Sequence, residues 1–423
     1  MDAEEMPFPR LNGISVVTGT CFVVGEVVGA GIVALPYTMK LVSWWGIPLF
    51  FLGAFIMSLC GVLLSHSYVL AFRDVKNREE IRDPYPQIAE KAYGKPAKHC
   101  IIIMLNLSLL FVCVVFLLLL GEIFSEFAPI HGLSHRNQMR IWFVVSSFVL
   151  IPLTMFGTPK DFWGIGLLAS ICSAIAGVMI CLNLAITSSR YGYTVPHRYR
   201  INPETALAVF GTISFTFGGN AIFPTIQNDL REPHKFPRAV VFGYCVVLVL
   251  YTGVSIGAFL VFDTRIEEDL LTSFARSEIH DKCIYFRVYT MLAQISICGH
   301  LLAAFVIIIN PVNQQVEYIL KSPVEFCWQR VVLRTICVMV ILITAVAIPN
   351  FGPVLSLLGG SFFTLLSVVF PIIFYNKLKE GQLALWKKFG LLAIMCITVS
   401  SAIGNFYVES KNIFKVIKGS YET

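Results

Sequence analysis

Residues 101–120 read IIIMLNLSLLFVCVVFLLLL, twenty positions without a charge and with only Asn106 and Ser108 strongly polar. A helix of that length covers about 30 Å, the thickness of the hydrocarbon core of a bilayer. In hydrocarbon every backbone N–H and C=O must be satisfied within the protein, which leaves helices and closed barrels as the structures able to cross. The ten-residue alternation of a barrel strand is missing, whereas helix-length apolar blocks recur along all 423 residues. The charge content agrees: 14% of residues are Asp, Glu, Lys or Arg, against about 25% in soluble domains. The chain is therefore read as an all-α polytopic membrane protein.

Hydropathy and helix breakers set eleven spans, at 14–37, 45–72, 100–127, 141–156, 162–187, 206–226, 239–262, 285–310, 331–348, 354–375 and 385–408. The longest connections are 73–99 and the acidic 263–284, so 1–423 is expected to be a single transmembrane domain. The N-terminus, MDAEEMPFPR, is acidic, and the apolar stretch after it has no small-residue cleavage site, so the first segment is expected to stay as a span. With the N-terminus inside, nineteen of the 32 Lys and Arg fall on the inner side. They include Arg10, seven in the first inner loop (Arg73, Lys76, Arg78, Arg82, Lys91, Lys95 and Lys98) and Lys160. This is the distribution that orients membrane proteins, and an odd count then puts the C-terminus outside. The net charge of +6 reflects that orientation and not a nucleic-acid partner. Most of the twelve cysteines lie inside apolar blocks and no CxxC occurs, so neither a metal nor a cofactor is expected.

The first and sixth spans carry matching interruptions. Residues 25–36 read GEVVGAGIVALP and residues 214–224 read SFTFGGNAIFP, each with small residues followed five positions later by a proline. Glycine tolerates unwound backbone, and proline removes a donor and obstructs the helix. Breaks at corresponding places in two five-span halves point to an inverted-repeat secondary transporter, with spans 1–5 at about 14–187, spans 6–10 at about 206–375 and an accessory span at about 385–408. At such a break, half-helix amides suit a carboxylate, while freed carbonyls suit an ammonium group or a cation. Together they suit a zwitterion. The competing reading is that Gly25 and Gly29, at GxxxG spacing, only let helices approach closely.

These segments, with DPYPQIAEKAYG at 83–94, the run from Phe215 through Asp229 to Arg231-Glu232-Pro233, and more weakly Asn310-Pro311-Val312 with Glu317, resemble the amino acid/auxin permease family of the amino acid–polyamine–cation superfamily. The resemblance implies a LeuT-like 5+5 core with broken helices 1 and 6 and transport of amino acids. Carried over by position, it places substrate contacts at Gly29, Ala30 and Gly31 and at Ser214, Thr216, Gly218 and Gly219. Phe215 and Phe217 are candidate gates over the substrate side chain, with bundle packing as the equal alternative.

Glu26 is the sharpest single residue, an acid one helical turn before Gly29 in a span where an ionised carboxyl costs at least about 2.5 kcal/mol. That expense makes it the candidate carrier of a coupling proton. Sodium-coupled relatives often place Asn here, so Glu argues for H+, with Na+ as the alternative bound by Ser296 and the carbonyls around Val27. His300, with Ser296 and Gln294, forms a second candidate patch facing span 1; His66 is the lesser candidate.

Two other functional classes were weighed. Gly253-Val254-Ser255-Ile256-Gly257 matches the nucleophile-elbow pattern of serine hydrolases, but an apolar helix cannot form that strained turn. Gly253 and Gly257 are better read as a packing face, with Ser255 bonding back along its helix. An amino-acid sensor would ordinarily carry a long extension, and only about thirteen residues precede the first span, which favours a carrier. The expected partners are a small-molecule amino acid, neutral in its side chain, and the lipid of a plasma or vesicular/lysosomal membrane, with the N-terminus cytosolic. The identity of the amino acid is not legible.

Overall fold

The computed structural model describes residues 13–75, 81, 83–155, 162–191, 202–322 and 327–419. Of the residues singled out above, Arg10, Lys76, Arg78, Arg82, Lys160 and the end of the fourth expected span at Phe156 lie outside these.

Both interrupted spans begin with a side-chain cap. Ser15 Oγ accepts from Thr18 N at 3.1 Å to start α1 (Val16–Val27), and Asn202 Oδ1 accepts from Thr205 N at 2.7 Å to start α8 (Pro203–Thr216). Such caps satisfy backbone donors that the first turn of a helix leaves free. α1 continues after a break as α2 (Gly31–Val42), and α8 as a short 3₁₀ turn, Asn220–Ile222, and α9 (Phe223–Asp229). The remaining helices are α3 (Gly46–Phe72), α4 (Pro84–Tyr93), α5 (Lys95–Phe127), α6 (His135–Leu153), α7 (Phe162–Tyr191) and α10 (Phe236–Phe262). Short α11 (Leu270–Ala275) and α12 (Glu278–Lys282) lead into α13 (Ile284–Ile319) and α14 (Trp328–Ala347). α15 (Phe351–Leu358) runs through two π-helical stretches, Gly359–Phe363 and Leu365–Val369, into α16 (Phe370–Leu378), and α17 (Leu385–Gly419) follows.

Among the described residues, nine helical stretches are long and apolar enough to cross a membrane. Eleven crossings follow once two of the sequence segments are placed in space. The stretch Gly31–Phe72 is two helices that reverse at Ser43, whose φ of +54° is a left-handed value, and its first half completes the span begun by the short apolar α1. α6, at 19 residues, is long enough but opens on His135, Arg136 and Arg140. Contacts between loops agree with this alternation. Ile14 pairs with Asp229 and Arg231, and Tyr68 Oη donates to Asn228 Oδ1 at 2.6 Å, on the N-terminal side. Lys411 reaches Glu204 at 3.0 Å and Arg276 meets Glu126 on the other.

The apolar run that opened the sequence reading owes half of its character to protein, not lipid. Val112 to Leu120 of α5 are all buried, because α6, α13, α14 and α15 surround that part of the helix. Lipid meets other faces: Phe51, Leu52 and Phe55 of α3, and Leu167, Leu168 and Ile171 of α7, are exposed. A second buried cluster sits under α4, where Tyr85 and Ile88 pack with Tyr68, Phe72, Leu366 and Phe374 on the N-terminal side.

The prolines follow the breaks, Pro36 inside α2 and Pro224 in the first turn of α9, where a missing N–H is tolerated. Two details differ from the sequence reading. Gly257 does pack closely, with Leu184 of α7, but a side chain at Gly253 would meet nothing within 4 Å, so the pair is not one packing face. Ser255 is fully buried in mid-helix and its Oγ makes no bond back along the chain.

Candidate functional site

The two breaks face each other across the centre of the bundle. The first is Val28–Ala30, where Gly29 N bonds to Val27 O at 3.1 Å, outside the helical pattern, and the α2 ladder restarts from Gly29 and Ala30. The second is Phe217–Gly219, with Gly219 at φ +132°, a value that side chains rarely adopt. A Cβ on Gly31 would lie 2.6 Å from Thr216 Cγ2, and one on Gly219 would lie 3.4 Å from both Glu26 Cγ and Val27 Cγ2. Each break therefore touches the helix end of the other, through glycines that permit the approach.

Of the residues proposed from the sequence, Val27, Ala30, Gly31, Ser214, Phe215, Thr216, Phe217, Gly218 and Gly219 are buried, and Gly29 is half-buried. Phe217 is fully buried, edge-on to Tyr251 with centroids 5.4 Å apart, and Phe215 lies 5.1 Å from Phe363, which also covers Gly218. Ser214 borders an apolar recess lined by Ile56, Met57, Val209, Ile213 and Val368, to one side of the breaks. Glu26 is exposed, although its Cγ lies against Gly219.

His300 joins the site from α13. Its Nδ1 sits 2.7 Å from Ser173 Oγ and 3.1 Å from Ala169 O, both on α7, and a Cβ on Gly29 would lie 3.8 Å from its Nε2. A carbonyl only accepts, so Nδ1 carries the proton toward Ala169 and Nε2 is left facing the first break. Ser296 is buried one turn before His300, and the amide nitrogen of buried Gln294 has no partner. His66 is remote: its Nδ1 bonds to Val62 O at 2.9 Å and its ring lies near Tyr375 on the N-terminal side.

Sequence reading missed the groups that hold the breaks. Tyr251 Oη donates to Val27 O at 2.7 Å. Tyr244 Oη lies 2.7 Å from Phe217 O and 2.8 Å from Asn220 Oδ1, and Asn220 Nδ2 donates to Met57 O and Ser367 O, both at 3.0 Å. The available signal was the seven-residue spacing of the two tyrosines, which puts them on one face of α10.

The two sides of the site are packed differently. On the side away from the N-terminus, Ile32 to Leu35 are buried and α11 is seated against α2, α5 and α13. Lys40 Nζ donates to Ile266 O at 2.7 Å, Glu268 Oε2 accepts from Gly352 N at 2.7 Å, and Arg276 Nε donates to Glu126 Oε1 at 2.9 Å, so the 263–284 segment is tied down from three sides. On the N-terminal side α1 leans on α10, where Val23 fills the space over Gly243, while Val17, Cys21, Phe22 and Glu26 are exposed and nothing lies within 4 Å of a side chain placed at Gly25.

The sequence profile of a family described as transmembrane amino acid transporter protein matches residues 12–410. Among curated proteins, the chain is similar to Amino acid transporter AVT1E of Arabidopsis thaliana, at 23% identity over 88% of this chain and 66% of that protein. Amino acid transporter AVT1D matches at 22% over 91% and 67%, so the chain spans about two thirds of the length of these two relatives. Lysine histidine transporter-like 3, also from Arabidopsis thaliana, is 25% identical over 85% of this chain and 80% of its own. Among solved structures, MhsT in complex with L-phenylalanine superposes with a TM-score of 0.61 at 15% identity, covering 95% of this chain and 100% of that one. The fold is accordingly LeuT-like.

Proposed function

The chain belongs to the transmembrane amino acid transporter family, and from that premise we propose that it is a secondary active carrier of neutral amino acids, working by alternating access and coupled to protons through Glu26. The relatives are named as transporters, and the hydrolase reading of residues 253–257 is dropped.

The observation that carries the reading is the meeting of the two breaks, Gly31 on Thr216 and Gly219 on Glu26. Unwound backbone at that place offers amides to a carboxylate and carbonyls to an ammonium group, which together fit the common part of every amino acid. The side chains beside it, Phe215, Phe217, Phe363 and Val27, are apolar, which supports a neutral substrate. Alternating access is supported by the unequal packing of the two sides, with the 263–284 segment tied down on one and Glu26 exposed on the other. The inverted 5+5 repeat is supported by the two capped, interrupted spans that begin on opposite sides.

Glu26 is a carboxyl beside both breaks, one turn before Gly29 and against Gly219, and it is exposed. Protonation removes the desolvation cost of an anion when the carrier closes around it, so a proton favours the occluded state. His300, with Nε2 toward Gly29, is the second group able to take part. We place the N-terminus in the cytosol, in a plasma or vesicular/lysosomal membrane.

The test is uptake into proteoliposomes of a labelled amino-acid panel that includes lysine and histidine, with pH and sodium gradients imposed separately. Accumulation driven by the pH gradient alone is expected, and Glu26→Gln should keep exchange of internal for external substrate while losing that accumulation. Wild-type accumulation by Glu26→Gln, or strict sodium dependence of the parent protein, would refute proton coupling there. Preference for lysine or histidine would make Glu26 a partner of the substrate side chain instead.

A further inference from the structure

One carbonyl at each break is met by a tyrosine hydroxyl, which leaves the other carbonyls there for the substrate. Val27 O, the last carbonyl of α1, receives the hydroxyl of Tyr251, and Phe217 O, just past α8, receives that of Tyr244. Both tyrosines are buried, and they project from one face of α10, the helix against which both α1 and α2 pack. Val27 O accepts otherwise only the tight-turn bond from Gly29 N at 3.1 Å, and a buried carbonyl freed from its helix is costly unless a further donor or a cation reaches it. Carriers with broken helices commonly give that role to the coupling cation. Here a neutral O–H holds the position, and it is crowded: a Cβ on Gly31 would come within 2.8 Å of Tyr251 Oη, so the hydroxyl fills the gap between the two halves of the first span.

Building on the proposed transporter function, we infer that Tyr251 and Tyr244 are positioning residues that pin both unwound segments to α10, and that the Tyr251 hydroxyl occupies at Val27 O the place a coupling cation would take. The chain then needs no sodium ion to order the first break. The pinned carbonyl also fixes the backbone at Val27, from which Glu26 is presented beside Gly219. The plainer alternative, that Tyr251 only packs against Phe217, assigns no role to the hydroxyl.

Tyr251→Phe separates the two, because it keeps the ring and deletes only the donor. The first measurement is thermal unfolding of the purified full-length protein without substrate, in sodium, potassium and choline chloride at equal ionic strength. The parent protein should melt at one temperature in all three salts. Tyr251→Phe should melt lower in choline and recover in sodium, as the ion enters the vacated position. The second measurement is substrate affinity, expected to weaken about tenfold in choline and to recover with sodium. A parent protein that is itself sodium-dependent, or a Tyr251→Phe protein indifferent to salt, would overturn the inference. Should Tyr251→Phe not fold, Gly31→Ala pushes the hydroxyl off Val27 O and should bring the same sodium response; its absence would be equally decisive. Because melting is read without substrate, failure of the parent protein to bind any amino acid would sink the transporter reading while leaving this test in force.

Discussion

Gly219→Val is the substitution whose consequence follows most directly from the geometry. The residue has a φ of +132°, outside the region open to side chains, so any substitution strains the backbone by about 1–3 kcal/mol. A Cβ alone would rest 3.4 Å from Glu26 Cγ and Val27 Cγ2, an ordinary contact, but the two methyls of valine extend past it into those side chains. Overpacking of that kind adds a further penalty, about 1–3 kcal/mol in packed interiors. The protein can relieve both only by letting the second break move away from the first, which is the arrangement substrate binding needs. Taking the total as about 3 kcal/mol, affinity should fall roughly 150-fold. The assay is equilibrium binding of a labelled amino acid to detergent-purified protein, with monodispersity and melting temperature as controls for folding. Gly25→Ala is the matched control, because nothing lies within 4 Å of its Cβ; its affinity should stay within about twofold of the parent. Wild-type affinity in a folded Gly219→Val protein would show that the second break is structural and that the site lies elsewhere.

Three further outcomes are expected. In a scan of tags or single cysteines, the 73–99 loop and Lys377 to Lys388 should be reached from the N-terminal side and Glu204 and Lys411 from the other; termini on one side would refute the eleven-span topology. Burial pushes the carboxyls of Glu268 and Asp269, in the tied-down 263–284 segment, above their ordinary values. Their neutral forms favour the seated segment, so that stabilisation is complete below about pH 4 and is lost as pH rises through the raised values. The melting temperature of the parent should therefore fall with rising pH relative to that of Glu268→Gln/Asp269→Asn, and a constant offset would refute the reasoning. Glu317 receives Arg334 Nε at 2.7 Å and Arg330 Nε at 3.2 Å, and Arg334 is fully buried. Glu317→Ala should destabilise the fold by about 3–5 kcal/mol in thermal or denaturant unfolding, and a neutral result would show that other contacts carry those guanidiniums.

The crossings were legible in the sequence because hydrocarbon imposes one demand on the backbone, and runs such as 101–120 meet it wherever they sit in the bundle. The same demand hid which side of each run faces lipid: Val112 to Leu120 and Ile101 to Leu107 look alike as sequence, yet the first is enclosed by protein and Ile103 and Leu107 are exposed. The breaks were legible because glycine marks backbone that must unwind or be approached, as Gly31 and Gly219 are. The prolines mark the helices that resume after each break, Pro36 lying within a helix that starts at Gly31. Glu26 stood out by its expense, and the structure sets it against the opposite break.

The partners of the breaks were not legible, and the reason is chemical. Tyr244 and Tyr251 lie in the aromatic and apolar stretch FPRAVVFGYCVVLVLYTG, where a phenol reads as one more packing ring until a carbonyl is found at the end of its hydroxyl. Ser173 is likewise one small residue of a lipid-facing helix until His300 is seen to lean on it. The unequal packing of the two sides is harder still to read from a chain whose halves carry matching breaks, because near-symmetry in sequence gives no reason for one side to be more firmly tied. That asymmetry arises where the halves differ. The connection after span 7 carries the acidic 263–284 segment with α11, which Lys40, Gly352 and Glu126 tie down, whereas α1 packs on α10 and, among the described residues, meets nothing within 4 Å at Gly25.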